Sequence, residues 1–407
     1  MHGPGLRGAG EVSYSVQLSS SEAPLGPDKT PGVGMRAAVM IEPGRPLEVR
    51  ELTPRALRPT EVHLRIDASG VCRSDETIRR HGMGGLGPVI LGHEGAGTVL
   101  EVGSQVGDLS PGNRVIGAFQ PACGSCWHCV RSRTHHCEQI MHVATQAHWK
   151  DDHSGDRTWS MSGLGTFAEE AVVDRMSVVA VNTDLPAEQL ALIGCAVMTG
   201  VGAALNTARI EPGSVVAVLG CGGVGQFVVQ GARIAGASRI VAIDPVLRKR
   251  EAATANGATD VIDPTTADAI EVVRDMTGGR GADYAFEVAL SGPTLRQAYD
   301  LCRNAGTVVA VGMPTAGTTV EFDAYQLFST EKRLLGCYYG SGQVRRDFPR
   351  LVALAEAGRL DLAGAVSRRI ALDDVNEAFV AMANGGVIRS VIVPSAPVRA
   401  DLRGGSA

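Results

Sequence analysis

The chain has 407 residues, of which 44% are hydrophobic and 20% are charged, and this composition is typical of soluble globular proteins with room for two domains. Its 38 basic and 43 acidic residues nearly balance, so no strong positive field would attract nucleic acid or an anionic membrane. The longest apolar runs, such as 215–219 and 308–311, are strand-sized, whereas a membrane helix needs roughly 20 residues. We therefore expect a soluble protein with neither a nucleic-acid nor a membrane partner.

The first segment, residues 1–34, is rich in glycine, proline and serine and lacks the apolar centre of a secretory signal. It is predicted to be a disordered N-terminal extension. Met35 opens the first patterned segment, so translation from Met35 is an alternative to translation from Met1. The nine cysteines are odd in number and four lie in one short segment, which indicates metal binding in a reducing, cytoplasmic setting rather than disulfides.

The remaining chain divides into two regions that differ in their pattern of apolar residues. From Met35 to about Gly194, short alternating strands are broken by glycine and proline, which indicates an antiparallel, barrel-like β domain. After about Thr199, uninterrupted apolar strands alternate with helices, which is typical of a parallel sheet covered on both faces. This pattern ends near Cys337, and helical stretches followed by a final strand within 340–394 predict that the chain returns to the first domain.

A glycine-rich segment predicts a dinucleotide site. A G-x-G-x-x-G pattern directly follows an apolar strand and opens a helix, and its members are Gly220, Gly222, Gly223, Val224 and Gly225. The glycines permit a tight turn, and the helix N-terminus presents unpaired N–H groups to a pyrophosphate. Asp244 ends the next strand about twenty residues later, where a carboxylate accepts hydrogen bonds from the adenosine ribose and repels a 2′-phosphate. Asp244 thus favours NAD, although Arg248 and Lys249 hint at NADP and a strand-end cap is the structural alternative.

Four cysteines share one compact segment, ACGSCWHCVRSRTHHC, and they are Cys123, Cys126, Cys129 and Cys137. Four thiolates on one loop can complete a tetrahedral zinc shell with no vacant position, which predicts a structural metal. The alternative is a pair of disulfides or spare thiols.

A second, dispersed set of metal-binding residue types consists of Cys72 in GVCRSDE, His93 in LGHEGAG and Cys195 in IGCAVMTG. Two thiolates and one imidazole would leave a fourth zinc position open for water or substrate, as a catalytic zinc requires. Taken alone, each residue also fits the role of an ordinary buried cysteine or core histidine. Their spacing in the sequence gives no reason to group the three.

The motifs GVCRSD, GHEGAG, the four-cysteine loop, GCxxxTG and GxGGVG occur in one order, and through them the chain resembles the zinc-containing medium-chain alcohol dehydrogenases from about Met35 to Val393. The resemblance implies an α/β protein with a GroES-like β-barrel catalytic domain, residues 35–196 and 339–407, and an inserted Rossmann domain with a doubly wound parallel sheet, residues 197–338. It also implies two Zn²⁺ ions per subunit, NAD, and a homodimer or homotetramer.

Individual roles follow from the same resemblance. Cys72, His93 and Cys195 would bind the catalytic zinc, Glu94 would be a carboxylate close to that metal, and Asp75 would orient the histidine. The four-cysteine loop would bind the structural zinc.

The resemblance also assigns the proton path and the cofactor contacts. Ser74 would hydrogen-bond the substrate alcohol and start the exit of its proton, but Thr77 stands where well-known members have a histidine that completes the relay. Because a threonine cannot hold a proton near neutral pH, the relay would end in water or at His81. The residues implied to contact the cofactor, besides the glycine loop and Asp244, are Arg73, Thr199, Lys249 and Arg389.

The expected activity is oxidation of an alcohol to an aldehyde or ketone, and the reverse, with hydride transfer to NAD. One alternative is a thiol-dependent formaldehyde dehydrogenase, which uses the same sites on a hydroxymethyl-thiol adduct. The run QGARIAGASRIVAIDP and the motif MSGLGTFAE also resemble actinobacterial members that include nicotinoproteins, which retain their nicotinamide cofactor. A remoter alternative is a non-catalytic relative that only binds zinc and a nucleotide. Loss of a catalytic zinc ligand would favour it, but none of these ligands is missing. The polar segment 142–163 is interpreted as a surface loop or a lobe at the substrate entrance.

Overall fold

The computed structural model describes residues 34–289, 291–314 and 317–394, so the predicted disordered extension lies, apart from Gly34, outside the described residues. The strands are β1 Met35–Met40, β2 Glu48–Pro54, β3 Glu61–Gly70, β4 Val89–Ile90, β5 Glu94–Val102, β6 Arg114–Gly117, β7 Ala147–Asp151, β8 Arg157–Ser160, β9 Glu170–Asp174, β10 Val178–Ala180, β11 Val215–Leu219, β12 Arg239–Ile243, β13 Asp260–Ile262, β14 Ala282–Glu287, β15 Cys302–Ala310, β16 Arg333–Gly336, β17 Val366–Ile370 and β18 Arg389–Ile392. The α-helices are α1 Arg73–His81, α2 Ile140–Ala144, α3 Ala187–Leu192, α4 Met198–Gly202, α5 Gly223–Ile234, α6 Leu247–Ala255, α7 Ala269–Met276, α8 Gly292–Leu301, α9 Ala324–Thr330, α10 Val344–Glu356 and α11 Val375–Ala383.

A small closed barrel is formed by strands β1, β2, β7, β8 and β4 in that order. Its strands alternate apolar and polar residues, and Leu52, Ile90 and Trp149 fill its interior with at most 1% of their surface exposed. The segment 142–163 supplies β7 and β8 and so completes the barrel wall. Its interpretation as a surface loop or entrance lobe was therefore wrong for these strands, because Trp149 packs in the barrel core and His148 is also buried, although His142 and His153 are exposed.

A second sheet lies beside the barrel with the strand order β10-β6-β5-β3-β18-β17, and β9 also pairs with β3. Strand β18 comes from the end of the chain and pairs antiparallel with β3, where Val391 lies opposite Gly70. The C-terminal segment thus joins a sheet that the N-terminal half builds. Strand β17, which lies between the two predicted helical stretches, was missed because its sequence VSRRI is mostly polar.

A six-stranded sheet has the order β13-β12-β11-β14-β15-β16, and every neighbouring pair in it is parallel. Its central strands are buried on both faces, which explains their uninterrupted apolar sequences. The chain direction across the sheet reverses between β11 and β14. This switch point leaves a crevice at the carboxyl ends of the strands, where nucleotides bind in sheets of this kind.

One helix connects the barrel half to the parallel sheet. The helix Ala187–Ala208 consists of α3 and α4, each followed by a π-helical segment, Ile193–Val197 and Ala203–Ala208. It has 22 residues, and its most apolar 18-residue stretch has a mean hydropathy of 1.7, enough by length and composition to cross a membrane, so the expectation that no apolar run reaches that length was wrong. However, 83% of its most apolar stretch is buried inside the protein, as in a core helix.

Candidate metal centres and dinucleotide loop

The four-cysteine loop brings its sulfurs together, since the ligand atoms of all four residues lie within 4.8 Å of one another. The Sγ atoms of Cys123 and Cys129 are 3.9 Å apart, far longer than a disulfide bond, and all nine cysteines are free. Backbone N–H groups of Ser125 and Cys126 point at the Cys123 sulfur at 3.5 and 3.3 Å. Burial by itself raises the pKa of Cys123, but these donors lower it to about 6. The backbone of the loop thus stabilises a thiolate at Cys123, and the four sulfurs lie close enough to surround one cation.

The dispersed set forms a second cluster. The ligand atoms of Cys72, His93, Glu94 and Cys195 lie within 4.8 Å of one another, although three separate parts of the chain supply them. Cys72 is the N-cap of α1, His93 directly precedes β5, and Cys195 lies in the π-helical segment of the 187–208 helix. All four are at least 93% buried. The fold therefore assembles what the sequence spacing could not connect.

Asp75 orders two of these side chains. Its carboxylate accepts a hydrogen bond from the Cys72 backbone N–H at 2.7 Å, and its other oxygen lies 2.8 Å from Nδ1 of His93. The ring is thereby fixed with Nε2 facing the cluster, where this buried nitrogen has no hydrogen-bond partner. An unpaired buried imidazole nitrogen beside two sulfurs fits a zinc ligand, because burial without any partner would be costly. The residues present thus fit a catalytic zinc.

Cys195 is positioned by its helix and by one tyrosine. The hydroxyl of the buried Tyr339 donates to the carbonyl of Gly194 at 2.5 Å, within the π-helical segment. A side chain at Gly194 would come within 2.6 Å of the Gly117 carbonyl, so only glycine permits this close approach of the helix to β6. Extra π-type turns in helices often occur at functional sites.

The hydroxyl groups predicted for the proton path are separated in the structure. Ser74 is half-buried with Oγ 3.9 Å from the Cys72 sulfur, so it lies at the edge of the cluster. In contrast, the Thr77 hydroxyl donates back along α1 to the Arg73 carbonyl at 3.1 Å. His81 is exposed at the C-terminal end of the same helix, two turns from Ser74.

The glycine loop has the geometry that its sequence predicts. Gly220 has a φ of 92°, which favours glycine, and a side chain at Gly225 would come within 2.0 Å of the Gly220 carbonyl. Gly222 is the N-cap of α5 and faces open space. Val224 lies in the first turn of that helix, so the backbone N–H groups there point towards the crevice. The loop can therefore accept an anion at the helix N-terminus.

Asp244 directly follows β12 and is 4% exposed. Its two carboxylate oxygens accept hydrogen bonds from the backbone N–H groups of Cys221 and Val246, each at 2.9 Å. Nζ of Lys249 is 3.9 Å from the same carboxylate. Arg248 instead donates to the carbonyl of Gly386 at 2.5 Å, away from this carboxylate.

Arg389 joins the two halves of the site. Its guanidinium lies 3.1 Å from the Glu94 carboxylate, donates to the Val71 carbonyl at 3.1 Å, and is so close to the loop that a side chain at Gly223 would meet its Cζ at 2.7 Å. Burial lowers the pKa of Arg389, but the neighbouring Glu94 and the cysteines outweigh that effect and raise it. Its Nε is buried without a hydrogen-bond partner, which leaves one donor for an anion, whereas Nη2 faces the Glu94 carboxylate.

Two further residues predicted to contact the cofactor lie near this region, but no contact in the structure tests their roles. Arg73 is exposed in the first turn of α1, and Thr199 is half-buried on α4, four residues after Cys195. Phe119 and Tyr339 were not predicted from the sequence, because no spacing relates either to the cysteine motifs. Phe119 packs edge-on against His93 with ring centroids 5.4 Å apart.

Comparisons with known proteins agree with this arrangement. Residues 58–183 match the alcohol dehydrogenase GroES-like domain, and residues 223–357 match the zinc-binding dehydrogenase domain. The S-(hydroxymethyl)glutathione dehydrogenase of Synechocystis sp. is 37% identical over 366 residues, which are 88% of this chain and 99% of the relative. The chain belongs to the zinc-containing medium-chain alcohol dehydrogenase family. The class-3 alcohol dehydrogenase of Cereibacter sphaeroides is 34% identical over 375 residues, again 88% of this chain and 99% of that protein.

Solved structures of this family have the same fold. The benzyl alcohol dehydrogenase of Acinetobacter calcoaceticus superimposes with a TM-score of 0.83 at 30% identity, and the comparison covers 89% of this chain and 99% of that one. A zinc-binding alcohol dehydrogenase domain protein of Burkholderia ambifaria gives a TM-score of 0.84 at 31% identity with the same coverage. The predicted fold class, a GroES-like barrel domain with a Rossmann-type domain, is confirmed. The protein is an oxidoreductase, a zinc-dependent alcohol dehydrogenase, and its family implies zinc and NAD as cofactors.

Proposed function

We propose that Cys72, His93 and Cys195 hold a catalytic zinc at which the chain oxidises a small alcohol with NAD. The observation that carries this proposal is the buried, unpaired Nε2 of His93, which faces two sulfurs while Asp75 fixes the opposite ring nitrogen. When bound, zinc polarises the oxygen of the alcohol and lowers the pKa of its hydroxyl towards neutrality. The Glu94 carboxylate lies within 4.8 Å of the other three ligand atoms and would be able to bind the same zinc.

The chain's own residues then position the reactants and move one proton. Ser74 Oγ, beside the cluster, accepts the hydroxyl proton of the alcohol and passes it outward at the start of α1. Because the Thr77 hydroxyl already donates to a backbone carbonyl, the proton leaves to water near Ser74 instead of travelling along the helix. The surrounding buried residues keep bulk water from the reacting carbon.

The cofactor is proposed to lie across the crevice of the parallel sheet. The N–H groups of the glycine loop and the unpaired Nε of Arg389 bind the pyrophosphate, with Arg73 at its rim. When bound there, NAD accepts the hydride, and Thr199 borders its nicotinamide. Asp244 selects NAD over NADP because two backbone N–H groups hold its carboxylate, which cannot rotate away from a 2′-phosphate, and Lys249 supports the ribose.

The four-cysteine loop is proposed to bind a second, structural zinc, which makes two zinc ions per subunit. The domain division is proposed as 35–196 with 339–407 for the catalytic domain and 197–338 for the Rossmann domain. The pairing of β18 with β3 supports a catalytic domain built from both ends of the chain.

We further propose a homodimer or homotetramer in the cytoplasm. Strand β16 is an edge of the parallel sheet, and most of its residues are exposed. The neighbouring helix α9 exposes 76% of Tyr325 and 79% of Phe328, and Leu334 on the edge strand is 43% exposed. An apolar sheet edge of this kind is suited to pairing with a second copy of the chain.

The decisive experiment uses one purified preparation. The protein is denatured in acid, zinc and nicotinamide per subunit are quantified, and reduced-cofactor absorbance is followed in the native enzyme with NAD and a panel of alcohols. About two zinc ions per subunit, no retained nicotinamide and turnover that requires added NAD are expected. Retained NAD(H) with turnover only when an external hydride acceptor is present would identify a nicotinoprotein instead, and a single zinc without turnover would contradict the catalytic assignment.

A second candidate function is oxidation of a hydroxymethyl-thiol adduct, because several relatives are named S-(hydroxymethyl)glutathione dehydrogenase. The same zinc and nucleotide sites would serve that reaction. Formaldehyde with and without glutathione, or another small thiol, separates the two. Turnover of formaldehyde that depends on the thiol and exceeds turnover of simple alcohols would favour this candidate.

A further inference from the structure

The turn Tyr339–Ser341 has an unusual backbone. Its three consecutive residues all lie in the left-handed region, with φ values of 53°, 62° and 48°. Glycine tolerates this region at Gly340, but a tyrosine and a serine are strained there, because their Cβ atoms crowd the neighbouring backbone. Such strain persists only where surrounding contacts impose it, and it is concentrated at functional sites. The contacts of the turn therefore indicate its role.

The turn lies directly against the long helix Ala187–Ala208. A side chain at Gly340 would overlap the Met198 carbonyl, and a side chain at Gly202 would come within 2.5 Å of the Gly340 carbonyl. Backbone packs on backbone at this point, which leaves little room for either element to shift. The side-chain amide of Asn206 donates to the Gly340 carbonyl at 3.2 Å and fixes the turn to the C-terminal part of the helix.

The first residue of the turn reaches the segment of the helix that carries a zinc ligand. The side chain of Tyr339 is buried, and its hydroxyl donates to the carbonyl of Gly194, the residue before Cys195. This carbonyl belongs to the π-helical segment Ile193–Val197, in which hydrogen bonds span five residues instead of the usual four. The tyrosine thus supplies a donor from outside the helix to the irregular backbone beside the ligand sulfur.

Tyr339 also contacts the surroundings of a second zinc ligand, through one intermediate ring. Its ring packs against Phe119 with centroids 4.2 Å apart, and Phe119 meets the His93 ring edge-on. The hydroxyl and the ring of the tyrosine therefore have separate roles. Removing the hydroxyl alone would release the backbone beside Cys195 and leave the ring contact towards His93 in place.

We propose that the turn Tyr339–Ser341 is a clamp that sets the position of Cys195, with Tyr339 as its positioning residue. The inference rests on the proposed catalytic zinc, because Cys195 is one of its ligands. Without the hydroxyl donor the π-helical segment relaxes, and the sulfur holds the metal less firmly. Groups that orient metal ligands without touching the metal commonly have this effect on metal affinity.

The test compares zinc release from the wild type, Tyr339→Phe and Tyr299→Phe. Tyr339→Phe removes the hydroxyl and keeps the ring. Tyr299→Phe is the matched control, because Tyr299 on α8 is also fully buried, but its hydroxyl meets Thr330 on α9 instead. Each protein is mixed with a chromogenic chelator, and the released zinc is followed over time. His93→Ala, which lacks a catalytic ligand, identifies the phase that belongs to the four-cysteine loop.

We expect the catalytic cluster of Tyr339→Phe to release its zinc about three- to tenfold faster than that of the wild type, the effect of one lost buried hydrogen bond. Release from the four-cysteine loop should not change, and Tyr299→Phe should release both zinc ions as the wild type does. A tyrosine that only fills the core would affect the melting temperature without changing the ratio of the two release rates.

The outcomes separate this inference from the function on which it rests. An unchanged ratio in Tyr339→Phe, or an equal change in Tyr299→Phe, overturns the clamp but leaves the dehydrogenase intact. A wild type with one zinc per subunit and no turnover of any alcohol overturns the proposed function itself. If Tyr339→Phe does not fold, Asn206→Ala replaces it, because it loosens the same turn from the helix. An unchanged ratio in that variant also overturns the inference.

Discussion

The two metal-binding clusters are built in opposite ways. The four cysteines of the structural cluster belong to one loop, 123–137, and Cys123 and Cys126 remain partly exposed. The catalytic cluster takes its ligands from α1, the start of β5 and a π-helical turn, and it is almost fully buried. Backbone N–H groups of its own loop support the first, whereas two charged side chains, Asp75 on α1 and Arg389 on β18, support the second.

This difference has a physical consequence. A loop with little apolar packing depends on its metal for its shape, so metal binding there contributes directly to folding. A cluster buried among packed strands and helices keeps its geometry because the core imposes it. Loss of the first metal should therefore lower stability, and loss of the second should abolish activity while the fold remains.

The largest expected effect is on activity, in His93→Ala. Losing the imidazole removes a zinc ligand, and several kcal/mol of transition-state stabilisation correspond to a fall in kcat/KM of about three to four orders of magnitude. Zinc per subunit should drop by about one, with little change in circular dichroism. His153→Ala is the matched control, because His153 is exposed on the barrel hairpin. An active His93→Ala enzyme would show that another group performs the chemistry.

The reverse pattern is expected for Cys137→Ser in the loop. The free energy of unfolding should fall by about 3 kcal/mol and one zinc should be lost, as for removal of a local cross-link, while the remaining folded enzyme still turns over. Urea unfolding and zinc analysis measure both quantities. Cys302→Ser is the control, since Cys302 is buried but lies outside both clusters. If Cys302→Ser destabilised the protein equally while both zincs stayed bound, the loop metal would have no special structural role.

A smaller effect is expected for Asp75→Asn, which changes support of the catalytic zinc without removing a ligand. The amide can accept from the Cys72 backbone N–H but no longer pairs its charge with the His93 ring. We expect zinc affinity at this cluster to fall about 10- to 100-fold, while the four-cysteine loop keeps its metal. Zinc release is measured in the presence of a chelator. Two phases are expected, and the difference between them shows how much more weakly the catalytic cluster holds its zinc than the loop does. Equal release from both clusters would contradict the independent construction of the two sites.

The same contrast explains what could be predicted from sequence. The four-cysteine loop and the glycine loop were predictable because each is a short segment whose spacing fixes its geometry. Cys195 could be joined to Cys72 only through family resemblance, since a long stretch of chain that includes strands β4 to β10 separates them in sequence.

Local patterns also failed where tertiary packing decides the outcome. The helix Ala187–Ala208 escaped notice as one long apolar element because its glycines and alanines dilute the hydrophobic signal, yet those small residues are what allow close packing. A side chain at Gly200 would meet the Val224 carbonyl at 2.6 Å, so α4 lies directly against α5. Two contacts of this kind, at Gly194 and Gly200, position Cys195 relative to the glycine loop.

The smallest expected effect concerns Thr77, at the point where the catalytic cluster departs from well-known relatives. Its hydroxyl donates to the Arg73 carbonyl within α1, so it supports the helix and does not offer its proton to Ser74. Thr77→Val should therefore change kcat/KM less than about twofold and stability by less than about 0.5 kcal/mol, with the pH profile unmoved. The measurement is the pH dependence of kcat/KM, recorded for the wild type and for the variant. A tenfold loss, or a shift of the profile, would instead show that the proton passes along α1 towards His81, and that this buried cluster extends its proton path to the surface through the helix.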